Sequence, residues 1–99
     1  MNAMDDEEAR AKPVRGPFHY REDVLAAAQR HGITPTERTP PELARGYVRD
    51  LYKYEIRRLR ERYLRKEFSK QRYSELVEQL RDQYGVLALV PRQWLRTDP

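Results

Sequence analysis

The 99-residue chain contains no cysteine, which removes disulfides, thiol nucleophiles and thiolate metal sites. Its two histidines, His19 and His31, lack the HxxxH or HExxH spacing of a helical zinc site, so no metal centre is expected. The four glycines are scattered, leaving no glycine-rich loop to cradle phosphates and no implied cofactor. Serines number two, and Ser69 is better placed as a helix cap than as a nucleophile. The carboxylates that cluster in sequence, Asp5 to Glu8, fall in a stretch unsuited to holding acid–base geometry. No enzyme and no small-molecule substrate is expected.

Long apolar runs are also missing. The longest, Val86 to Val90, is far short of the ~20 residues that cross a bilayer. The opening "MNAMDDEEARAKP" is acidic and has no apolar core, which argues against a secretory signal and makes a cytoplasmic protein the expectation. Apolar residues make up 38% of the chain, below the usual ~45–50%, and charged residues 36% against a typical ~25%. A chain of this composition builds a narrow core, and either its helices keep wide polar faces or a second chain completes the packing.

What is present is charge, unevenly placed. Residues 43–72 carry eleven basic and four acidic side chains, while residues 1–12 carry two basic and four acidic ones. The net positive charge of +4 therefore belongs to one segment, which favours an anionic partner there. A solvated arginine-rich face is the plainer reading of the same feature.

Three helices are expected, at about 20–31, 40–66 and 69–84, in an all-α fold dominated by an antiparallel hairpin. Proline, glycine and acidic residues mark 1–17 as a mobile tail, leaving 18–99 as one small domain. In "HYREDVLAAAQRHG", Val24, Leu25 and Ala28 recur at helical spacing and Gly32 is placed to end the helix in the left-handed region. "ITPTERTPPE" reads as a stiff connector. In "TPPE", Thr39 is expected at the N-cap, Pro40 at the first helical position and Glu42 at the third, forming a capping box. Gly46 is a weak point costing about 1 kcal/mol against alanine, or a place where another backbone approaches. Ser69 caps the third helix, with Phe68 and Tyr73 as its hydrophobic staple and Gly85 as its C-terminal cap. The break at Phe68–Ser69 is expected to be tight, the alternative being one continuous helix. In the tail, Val86–Val90 suggests an extended segment, and Pro91 a last turn that carries Trp94 and Leu95 onto the core.

At 100° per residue the second helix shows two apolar stripes. Tyr52, Ile56, Leu59 and Tyr63 have the 4-3-4 spacing of a packed seam and are expected to meet Tyr73, Leu76, Val77, Leu80 and Tyr84 of the third. Tyr63 then lies near the turn and Tyr52 at the far end. The other stripe runs through Tyr47, Leu51 and Tyr54 and continues at the same angle as Arg58, Arg62 and Arg65. Those six residues are the candidate site: an interface patch with an arginine clamp, in an accessory or adaptor subunit or a homo-oligomer. The partner is another protein or a second copy of the chain. The alternative is phosphate binding to nucleic acid through the basic face of the same helix. Glu55–Arg58 and Glu61–Arg65 are expected ion pairs along it.

Overall fold

The computed structural model describes residues 16–97. The expected tail at 1–17 lies outside the described residues except for Gly16 and Pro17, both exposed. The fold is all-α: α1 (Glu22–Arg30), α2 (Pro41–Leu64) and α3 (Lys70–Gln83), followed by two 3-10 turns at Gly85–Ala88 and Pro91–Trp94. Among the described residues no strand forms, only an antiparallel bridge between Tyr20 and Leu95.

Helix α1 ends as its sequence dictates. Gly32 sits at φ +81, and the Gly32 and Ile33 amides return to the Gln29 and Ala28 carbonyls. That pair of bonds is a Schellman motif, and the missing Cβ makes it inexpensive.

The start of α2 differs from expectation. Pro40 is the N-cap and Pro41 the first helical residue, with no side-chain cap. Two prolines remove two of the amides that a cap serves. Thr39 is therefore free to close the preceding turn, its Oγ1 accepting from the Thr36 amide at 3.0 Å, and no capping box forms. Gly46 does not admit a neighbouring backbone: a Cβ there would meet only the Arg49 guanidinium, at 3.7 Å.

The hairpin turn is also built differently. Helix α2 stops at Leu64, and Lys66 takes a left-handed φ of 64. The Lys66 and Glu67 amides bond back to the Tyr63 and Arg62 carbonyls, a second Schellman motif made without glycine. The chain thus reverses over 65–69 rather than at Phe68–Ser69. Beyond the turn the sequence reading holds. Ser69 Oγ accepts from the Arg72 amide at 3.0 Å, and Phe68 stacks on Tyr73 as the staple. At the far end Gly85 is not a left-handed cap; Tyr84 is the C-cap and the chain winds directly into the 3-10 turn at Gly85–Ala88, where an extended segment was expected.

The seam pairs as predicted. Tyr63 stacks on Tyr73 with ring centroids 4.5 Å apart, and Tyr52 meets Tyr84 at 5.2 Å. The two helices are antiparallel and packed along their length. The core itself gathers at one end, where α1 and the tail close over the hairpin. Trp94, Ala28, Ala44 and Val48 are fully buried there, with Val24, Tyr84, Tyr20 and Phe18 around them. The Trp94 indole N–H donates to the Leu89 carbonyl at 3.3 Å. Trp94 is a core plug, held by the turn that Pro91 opens.

The ends of the described chain are tied to this head. Arg21 N–H donates to the Trp94 carbonyl at 3.0 Å and Arg96 N–H to the His19 carbonyl at 2.7 Å. The Tyr20 hydroxyl donates to the Thr39 carbonyl. Burial pushes that phenol up to about 12.

Candidate functional site

Helix α2 is a two-sided element once the seam is fixed. On one flank, Leu51, Tyr54, Arg58 and Arg62 form a wall of an open groove of about 530 Å³, and Leu76, Gln79 and Gln83 of α3 form the other. The sequence pattern therefore brings Leu51, Tyr54, Arg58 and Arg62 to one surface. Tyr47 is on the same helical line and 49% exposed, but it does not line the groove; nor does Arg65. Tyr54 is 53% exposed, whereas Leu51 is half-buried against the core.

The arginine clamp is not a row of three free guanidiniums. Arg58 donates to the Tyr54 hydroxyl at 3.3 Å and lies over its ring at 5.8 Å. Arg62 bonds Glu67 Oε1 at 2.8 Å and Arg65 reaches Glu67 Oε2 at 3.1 Å. The reversal at Lys66 brings Glu67 back over the last turn of α2, where it divides its two oxygens between the two guanidiniums. Those contacts hold the Glu67 carboxyl below its usual range, the Arg62 hydrogen bond foremost. The expectation of a three-arginine clamp is corrected to one arginine on a tyrosine and two on a shared carboxylate. All three side chains stay exposed, and exposed ion pairs of this kind exchange readily. The expected pairs Glu55–Arg58 and Glu61–Arg65 do not form. Glu55 turns instead to the Tyr84 hydroxyl, which burial, that hydrogen bond and the nearby charge all hold in its neutral form.

Helix α1 closes the head end of this flank. The His31 ring stacks on Tyr84 at 3.9 Å and its Nε2–H donates to the Gln83 carbonyl at 2.9 Å. A carbonyl only accepts, so Nε2 carries the proton. His31 is thus a wedge between α1 and α3, and no group of three or more His, Asp or Glu able to hold a metal occurs among the described residues.

The opposite flank carries residues that the apolar-stripe reading passes over. Arg49, Lys53, Arg57 and Arg60 recur at i, i+4, i+8 and i+11 and are all exposed. That spacing was the available signal. Arg45, next to them on the helix, is structural: its guanidinium donates to the Leu87 and Leu89 carbonyls at 2.6 and 2.8 Å and pins the first 3-10 turn.

Among the described residues no helix is long and apolar enough to cross a membrane. Comparison with protein-family models, with curated proteins and with solved structures finds no match to the chain.

Proposed function

We propose that the protein is a non-enzymatic interaction module whose hairpin groove is filled by helices of a second chain, and that a second copy is the best-matched occupant. One observation carries this reading. From residue 60 to residue 79 no side chain is buried, although Tyr63, Leu64, Phe68, Tyr73, Leu76 and Val77 lie there. A two-helix layer buries only its seam, and apolar side chains off the seam need a third layer.

Charge favours a copy over an unrelated partner. The α2 wall of the groove ends in Arg58 and Arg62, while on α3 Asp82 and Glu75, the latter bonded to Arg72 at 3.1 Å, lie seven residues apart beside the other wall. A two-fold axis along the hairpin sets α2 of one copy over α3 of the other. Basic edge then meets acidic edge twice, as an isologous contact requires. The product is a four-helix bundle with both heads at the same end.

The groove face is modest in size. The 14 residues of α3 span about 21 Å and two helices side by side about 20 Å, roughly 400 Å² of projected area per copy. A total near 800 Å² is at the weak end for a specific interface, so self-association in the micromolar range is expected. Sedimentation equilibrium from about 1 to 200 µM brackets that affinity and tests the reading. The expected result is a monomer–dimer equilibrium that Arg58→Glu with Arg62→Glu abolishes and that adding Glu75→Arg with Asp82→Arg restores. Helicity by circular dichroism stays unchanged throughout. A monomer over the whole range rules out the copy as occupant.

A further inference from the structure

The face of the hairpin turned away from the groove holds a row of cations that self-association leaves free. Arg49, Lys53, Arg57 and Arg60 lie within about 80° of arc on α2, centred roughly 140° away from Arg58 at 100° per residue. They span about 16 Å at 1.5 Å per residue. Lys70 and Arg81 of α3, also exposed, fall on the matching flank of that helix, and Arg81 lines a shallow recess there with Tyr52 and Leu87. Among the described residues, one carboxylate comes within ion-pair range of any of the six, Asp50 at 3.8 Å from Arg49. The side chains of Lys53, Arg57, Arg60, Lys70 and Arg81 make no hydrogen bond or ion pair with any described residue. The contrast with Arg21, Arg45, Arg62 and Arg65, each satisfied inside the chain, is local and specific.

Six exposed like charges on one face repel one another, and an anionic partner relieves the repulsion. A row extended along a helix fits an ordered row of anions better than a single one. We propose that this face binds the phosphate backbone of duplex DNA without reading its sequence. The span from Arg49 to Arg60 bridges a B-form major groove about 12 Å wide, so its two ends reach phosphates on both walls. The A-form major groove is narrow and deep and offers no such pair of walls. Single strands are gripped by stacking on exposed rings, and the exposed tyrosines, Tyr47 and Tyr54, belong to the other flank. A membrane surface needs insertable apolar side chains, and Leu64, 61% exposed, is the one large apolar residue at the end of this row. The proposal stands whether or not the groove pairs two copies.

The test is fluorescence anisotropy of the full chain with a labelled, mixed-sequence DNA duplex two helical turns long. Four to six phosphate contacts predict that affinity falls roughly 10²- to 10³-fold between about 50 and 200 mM salt. Lys53→Glu, Arg57→Glu and Arg60→Glu together should weaken binding at low salt at least 100-fold. Arg30→Glu, Arg38→Glu and Arg92→Glu make the same change in net charge elsewhere and should weaken it less than about fivefold, since charge far from the contact is screened. Thermal melts confirm that both triples fold. No binding at low salt, equal losses in the two triples, or tighter binding to a single strand of equal length each overturns the proposal.

Discussion

The two ends of the hairpin are made from the same two helices and yet are different kinds of structure. At the head, α1, the tail and the segment before α1 wrap α2 and α3, and Trp94 and Val48 reach 0% exposure. At the tip, from residue 60 to 79, the helices have only each other, and nothing is buried. The tip is held by ring stacking instead, with Tyr63 on Tyr73 and Arg62 over Phe68 at 5.2 Å. The difference teaches where stability and recognition are kept. Side chains enclosed on every side fix the fold, and the incompletely covered layer is left for another molecule.

Substitutions that separate the ends sharpen this comparison. The largest effect is expected from Trp94→Ala, which removes a fully buried side chain and should cost about 3–5 kcal/mol by denaturant titration. Leu64→Ala at the tip should change stability by less than about 0.5 kcal/mol, as exposed sites do. Comparable losses at both sites would erase the distinction between head and tip.

Gly46→Ala should come next, stabilising by about 1 kcal/mol, because the added methyl meets only the Arg49 guanidinium at van der Waals distance, 3.7 Å, and a mid-helix glycine is replaced. Lys66→Gly should stabilise the tip by about 0.5–1 kcal/mol, since a lysine at positive φ costs ~1–2 kcal/mol and glycine's own chain entropy recovers part of that. A destabilised Lys66→Gly protein would mean that the left-handed turn is not the native one.

Acid and alkali should strike different ends. At the head, Tyr20 has its folded value raised to about 12, so the unfolded chain releases that proton first. Stability from Tyr20 is complete below its ordinary value of about 10 and is lost as pH rises towards 12. An ultraviolet titration should show Tyr20 and Tyr84 ionising late, with unfolding. The smallest effect is at the tip. Glu67 is lowered, so its contribution is present above the ordinary carboxylate range and lost as pH falls through its folded value. Glu67→Gln should remove a slight acid sensitivity of the melting temperature below about pH 4.

Much of the head and the seam was legible in the sequence because it follows from helical spacing and local caps. Gly32, Ser69, the Phe68–Tyr73 staple and the 52/56/59/63 seam all depend on residues within a few positions of each other. Thr39 misled because its amide and hydroxyl are both taken by the preceding turn, on the Thr36 carbonyl and amide, and the helix starts one residue later with Pro40 as N-cap. Lys66 was illegible, since nothing marks a lysine for the left-handed region. That one residue also decides the candidate site: it swings Glu67 back onto Arg62 and Arg65, at separations of five and two that no helix pairs. The row of Arg49, Lys53, Arg57 and Arg60 was readable by spacing alone. That Arg49 alone among them has an ion-pair partner in the described chain, Asp50, required the fold, because Asp50 and Glu61 both lie close in sequence.

The central claim is that the head is complete in one chain while the tip awaits a second. Amide hydrogen exchange of the full chain at dilute and concentrated protein tests it most directly, because exchange reports local opening residue by residue. The account predicts that amides of residues 57–64 and 70–79 become markedly slower as concentration rises, while those of Val24, Ala28 and Val48 do not change. Identical exchange at the tip under both conditions would contradict it.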